Sequence, residues 1–525
     1  MIPAGALALW IALATALLGA GAALFSLLRA QMGVSAGYAA AGDAVEVAGL
    51  GTAAIAVAAA VAAMLVSLGT GDVGVRYVAA VISADLPRAY RLAALWVAPA
   101  GALMVQTMVT VFAAAAFALR ADARARGIRT VVASLGLVAA VQIAVLAFAS
   151  DPFVRLDLRP ADGLGLPPEF QAPSAILLPL ARVLFAAVLT IVAASGLAAL
   201  VTGDVRAWRR FARLLGVDQT VGALAAALSF WEAYRASGAA PGWATHAVVD
   251  LSVMAWLVVV AAATAMAHAP RVAALGSLAA AAMLVPSAAW PPRELRTFVT
   301  TPLGTWTAIA VGLTLLAGLW LLIQRTPAPE PPRAAAARWV RLTLFAGVAA
   351  LVAGIAASRA TRSARFTIAD GASVQVTDVL GGAGTLTSQG MSIYRERNQF
   401  VTSIGLIPAH GTTREKLLKV ELRETVDAEE NSRFEPVSAP GVRPGLTQDL
   451  VVSLVAPSQG GAEIVARFVP LVWLHWLGFA LLALVGIAMA VGDQRSADTD
   501  DDASARAEAE IAKWRDPPEL SATSS

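Results

Sequence analysis

About eleven stretches, each near the roughly 20 apolar residues a helix needs to cross a bilayer, dominate this chain of 525 residues. They cover approximately 4–28, 47–68, 92–119, 129–149, 174–201, 215–232, 244–267, 272–290, 303–324, 338–357 and 469–491. Inside a bilayer every backbone polar group must be satisfied within its own segment or in a closed barrel, so runs of this length are read as helices. The sixth is the weakest, because Asp218 and Gln219 fall near its start. Composition agrees: 58% of residues are hydrophobic and 14% charged. A soluble domain averages about 45–50% and about 25%. The expected fold is an all-α polytopic membrane protein with about eleven transmembrane helices.

Charge placement sets an expected orientation. Arg120, Arg124, Arg126 and Arg129 crowd the link after the third run, and Arg206, Arg209, Arg210 and Arg213 the link after the fifth. Arg325, Arg333, Arg338 and Arg341 flank the link after the ninth. With eleven spans all three groups share one side, which the positive-inside rule makes cytoplasmic. The N-terminus is then outside and the C-terminus on the cytoplasmic side. The first run has no basic n-region or clear cleavage site, so it reads as a retained helix. The absence of cysteine excludes disulfides, thiolate metal sites, c-type haem attachment and cysteine nucleophiles.

One island interrupts the apolar pattern. From Ser358 to Arg467 short alternating segments, such as Phe366–Ile368, Ser373–Val376, Val420–Leu422 and Leu450–Leu454, lie between turn residues. That pattern predicts one small β-rich domain inserted before the last helix, on the outer face under this orientation. The expected division is a membrane domain over 1–357, the β-rich domain over 358–467, a last helix over 468–491 and a cytoplasmic, largely disordered tail over 492–525.

The outer loop 150–173 carries the most distinctive wording. Ser150, Asp151, Pro152, Phe153, Arg155 and Leu156 are followed by Pro160, Ala161, Asp162, Gly163, Leu166, Pro168, Gln171 and Pro173. Upstream stands Asp85-Leu86-Pro87-Arg88-Ala89-Tyr90-Arg91, leading to Trp96. Downstream come Ser229, Trp231 and Tyr234, then Ser252, Met254, Trp256 and Leu257. Near the C-terminus stand Arg433-Phe434, Asp449-Leu450-Val451-Val452-Ser453-Leu454, Phe468-Val469-Pro470 and Trp473. In this order the set resembles the CcmF proteins of bacterial cytochrome c maturation, whose typical members are longer. The resemblance makes the outer side, and with it the β-rich domain, periplasmic and the compartment a bacterial inner membrane. It implies assistance in haem delivery and attachment on the outer face. It also implies haem b as cofactor, a haem lyase activity, and apocytochrome c and other maturation proteins as partners beside the lipid bilayer.

The residues depart from the family where the chemistry lies. The four family haem histidines align with Leu178, Arg296, Thr264 and Phe345. None offers the neutral nitrogen that makes imidazole a good axial ligand. Four histidines remain: His246, His268, His410 and His475. His268 stands four residues, about one helical turn, beyond Thr264. The candidate haem contacts are therefore His246, His268, Trp231, Trp243, Trp256 and Arg296, the tryptophans as a hydrophobic platform and Arg296 as a partner for propionate or phosphate. The plain structural reading stays open beside each: helix-end anchoring for the tryptophans and His268, a loop role for His246, interfacial anchoring for His475. A non-catalytic scaffold binding another periplasmic client is the alternative function, and a small-molecule transporter a weaker one. No metal-spaced cluster, phosphate loop or nucleophile elbow appears, and the short arginine groups give no case for nucleic acid.

Overall fold

The computed structural model describes residues 2–32, 36–120, 125–166, 170, 173–237, 247–266, 269–289, 332–358 and 360–492, the last range without 378, 380, 397–398, 411–412, 415, 427–435 and 459. The chain opens with two long helices, α1 (Ile2–Met32) and α2 (Ala36–Thr70). Three shorter ones follow, α3 (Arg76–Val81), α4 (Arg88–Val97) and α5 (Pro99–Ala118). Next, α6 (Arg126–Ala144) widens into a π turn at Val145–Ser150 before the loop. The second half holds α7 (Pro173–Thr202), α8 (Val205–Ser237), α9 (Ala247–Ala265) and α10 (Pro270–Ala289). Helices α11 (Pro332–Ser358) and α12 (Trp473–Gly492) bracket the β-rich domain.

Among the described residues eight helices are long and apolar enough to cross a membrane, and Val253–Ala265 and Pro270–Leu284 are shorter apolar helices. The expected run 303–324 and the tail from 493 lie outside the described residues. One expectation is corrected: 92–119 is not one helix, and its candidate span is confined to Pro99–Ala118. Pro99 has no N–H for the carbonyl of Leu95 and drives Ala98 to an extended conformation (φ −91°, ψ 151°), which separates α4 from α5. The freed carbonyls are not left bare. The Tyr77 hydroxyl lies 2.9 Å from the oxygens of both Ala94 and Leu95. Residue 101 must then be glycine, because a Cβ there would land on that hydroxyl and on the Leu95 oxygen.

Two apolar cores fill the bundle. The first unites α1, α2 and α4 to α6, around residues such as Leu50, Met64, Val132 and Leu135. The second unites α7 to α12, around Phe185, Phe211, Phe230, Trp256 and Leu482, and draws in Val451 and Val469 of the β-rich domain. Helices α8 and α12 cross at two glycines. A Cβ on Gly216 would stand 2.7 Å from the Gly486 oxygen, and one on Gly486 would stand 2.6 Å from the Gly216 oxygen. Small residues at such a crossing let membrane helices approach backbone to backbone.

The β-rich domain holds two antiparallel sheets. One has the order β1 (Arg362–Ala369), β10 (Gly461–Pro470), β9 (Gln448–Ser458), β8 (Gly441–Arg443). The other runs β2 (Ser373–Thr377), β3 (Ala383–Glu396), β4 (Gln399–His410), β6 (Leu418–Thr425), β7 (Val437–Ala439), with β5 (Thr413–Arg414) beside β4. Alternating residues Ile368, Leu386, Ile404, Val420, Val452 and Ile464 form its core. The four expected strand segments fall within β1, β2, β6 and β9.

Candidate functional site

Two joints at one end of the bundle gather the motifs singled out in the sequence. The first binds the loop after α6 to the segment before α4. Asp162 accepts from the backbone N–H of Ala84 at 2.9 Å and of Gly163 at 2.7 Å. Leu164 N–H donates to Ala79 O and Gly165 N–H to Ile82 O, so a Cβ on Gly163 would collide with Ile82 O. Arg91 ties its own segment down through Leu86 O and Ala84 O, each at 2.7 Å. Earlier in the loop, Arg76 N–H donates to Val154 O and Leu156 N–H to Gly74 O. Phe153 is buried against Gly5 of α1, and Trp96 Nε1 donates to Ile176 O in the first turns of α7.

The second joint seats the β-rich domain on α8 and α12. Tyr234, near the end of α8, donates its hydroxyl to Asp449 Oδ2 at 2.7 Å, while Gly445 N–H donates to Oδ1 at 2.8 Å. Burial pushes the Asp449 carboxyl above the usual range, opposed by these two hydrogen bonds. Burial, then the neighbouring Asp449 carboxylate, pushes the Tyr234 phenol upward. Below them Phe230 stacks on His475 (centroids 4.4 Å apart, 15° between planes) and meets Trp476 edge-on at 5.3 Å. Trp231 lies 5.9 Å from Trp476, and Trp256 6.0 Å from Phe479.

The candidate haem contacts separate on this map. Trp256 is 1% exposed, a packed core residue whose indole occupies the space a Cβ on Gly222 would need. Trp231 is half-buried at the α8–α12 seam. His246, His268, Trp243 and Arg296 lie outside the described residues. The interfacial reading of His475 is corrected: its side chain is fully buried, stacked on Phe230, and a Cβ on Gly354 of α11 would fall 2.8 Å from its ring. That glycine leaves the room the imidazole takes. At two of the positions that the sequence resemblance aligns with haem histidines, Leu178 is a buried aliphatic side chain and Thr264 donates to Ala261 O of its own helix. Phe345 offers no donor atom. Among the described residues no group of three His, Cys, Asp or Glu side chains stands close enough to hold a metal ion. Among the described residues at the aligned positions, Leu178, Thr264 and Phe345 thus offer no imidazole-like axial nitrogen.

On this half of the bundle sequence reading missed Arg182, and noted Asp218 and Gln219 only as a weakness of the sixth run. Arg182, within α7, donates to Ser229 Oγ at 3.2 Å. Asp218 and Gln219 are fully buried on α8, and none of their side-chain oxygens or nitrogens has a hydrogen-bond partner. A lone arginine or carboxylate within an apolar run is the signal that marks such positions.

No family model matches the chain. It is 29% identical over 267 residues to the cytochrome c-type biogenesis protein ccl1 of Rhodobacter capsulatus, a match covering 50% of this chain and 39% of that relative. The matched part thus spans about two fifths of the curated relative's length. A solved structure, the cytochrome c heme lyase CcmF, superimposes with a TM-score of 0.70 over 94% of this chain and 98% of that one, at 17% identity. The fold is therefore a CcmF-like helical membrane architecture with a β-rich domain before its last helix. In sequence and in fold the chain is distantly similar to the CcmF/Ccl1 cytochrome c biogenesis proteins.

Proposed function

We propose that this protein is an assembly subunit of cytochrome c maturation in a bacterial inner membrane, presenting its loop joint and β-rich domain on the periplasmic face. The carrying observation is the pairing of motifs. The family-like runs at 85–96 and 150–179 join each other, as do those at 229–234, 449–454 and 468–473. A surface is retained while the axial donors at Leu178, Thr264 and Phe345 are absent. This favours a supporting role, holding apocytochrome c or a maturation partner, over autonomous haem attachment. Eleven spans, with the N-terminus outside and the C-terminus inside, complete the reading, supported by the arginine groups and the positive-inside rule.

The test is an absorption spectrum of the detergent-purified protein with haem quantified as the pyridine haemochrome. The expected outcome is no stoichiometric haem, with maturation proteins co-purifying. One haem per chain would overturn the supporting role and direct attention to His268→Ala and His246→Ala.

A further inference from the structure

The turn between β8 and β9 reads Pro444-Gly445-Leu446-Thr447, without a charged residue. Leu446 is 85% exposed, unusual for a leucine at the tip of a turn fixed this firmly. Three bonds fix it. Gly445 N–H donates to Asp449, Leu471 N–H donates to Thr447 O at 3.0 Å, and Trp473 Nε1 donates to the Leu446 carbonyl at 2.9 Å. Trp473 is the first residue of the apolar segment Trp473–Val491. At about 1.5 Å per residue that segment matches a hydrocarbon core of about 30 Å, so Trp473 marks its edge. A turn tied to that indole stands at the same depth. Around it Trp473, Trp476 and Leu477 are themselves 44%, 37% and 40% exposed. The turns at the far end of the same sheet lack apolar side chains by contrast: Asp370-Gly371 after β1, and Ser458 and Gly460 between β9 and β10.

We propose that the Leu446 turn is a membrane contact of the β-rich domain, its side chain entering the interfacial zone of the bilayer beside Trp473. The occupant is lipid. The domain then rests on the membrane through a contact of its own, besides the two chain crossings that connect it to the bundle.

The chain has no cysteine, so single labels can be placed on an otherwise native background. Three full-length variants, Leu446→Cys, Asp370→Cys and Leu484→Cys, carry an environment-sensitive fluorophore in phosphatidylcholine nanodiscs. Asp370 is exposed at the far turn, about 25–30 Å of strand away from α12, and Leu484 is exposed midway along α12. The label at 446 is expected to lose most of its emission to lipids spin-labelled near the headgroup and to resist aqueous iodide. The label at 370 should show the reverse, and that at 484 should respond to deep-chain spin labels. Iodide quenching at 446 equal to that at 370 would overturn the proposal. So would a label at 446 that neither quencher reaches, since protein rather than lipid would then cover the turn.

Discussion

Tyr234 and Asp449 meet across 215 residues of sequence, and their hydrogen bond joins the bundle to the β-rich domain. Tyr234→Phe removes the donor and leaves a carboxylate oxygen without it, at an expected cost of about 1–3 kcal/mol. A thermal melt in detergent checks this, with Asp449→Asn completing a double-mutant cycle. The same carboxyl predicts a pH effect. Burial raises its folded pKa above the ordinary 3.8, so the folded state binds the proton more tightly than the unfolded chain. Its contribution is full below 3.8 and lost as pH rises through the folded value. The difference in melting temperature between Asp449→Asn and the parent should therefore change across that window and level off above it; a flat difference would show an unshifted carboxyl. Each of these residues was legible as part of a family-like run, but their partnership was not. Local pattern says which face a residue occupies, not which distant side chain meets it. His475 shows the same limit. A histidine between two tryptophans at the head of a span reads as an interfacial anchor, and only the space left by Gly354 and the ring of Phe230 makes it a core residue.

At the scale of elements, glycines decide where backbones touch. Gly486→Leu would drive a side chain into Thr220 Oγ1 and the Gly216 carbonyl. Parting α8 from α12 should cost about 1–3 kcal/mol or more, the usual range for overpacking, read as a lowered melting temperature in detergent. Gly163→Ala acts elsewhere. Its Cβ meets the Ile82 carbonyl, backbone rather than a yielding side chain, so the loop joint should open. Faster proteolytic cleavage within 150–166, with the β-rich domain still protected, is the expected result. Helix existence and the main strands were legible because hydrophobic period and turn residues are local signals. The break at Pro99 carried its signal too, in a proline within an apolar run. What no local pattern conveyed was that Tyr77 would supply the Leu95 carbonyl with a donor that Pro99 cannot.

Across the whole molecule, the antiparallel pairing of α7 with α8 sets the outer loop and the β-rich domain at one end and Arg206, Arg209 and Arg210 at the other. The pairing is seen where Arg182 meets Ser229 and Phe185 faces Gly222. A membrane-impermeant maleimide should therefore label Asp370→Cys in spheroplasts and Val205→Cys only after lysis. The opposite pattern would invert the proposed orientation. That proposed orientation rests on the placement of arginines, whereas the seat of the β-rich domain needed three dimensions. The seat has a mechanical consequence. Only Leu471 and Val472 separate β10 from α12, and Leu471 is held at φ 52° by its bond to Thr447. A pull or twist applied to the sheet by a docked protein has no slack linker in which to dissipate. It reaches α12 as torque, and through the Gly216–Gly486 crossing it bears on α8, so an event on the surface is felt in the depth of the bilayer.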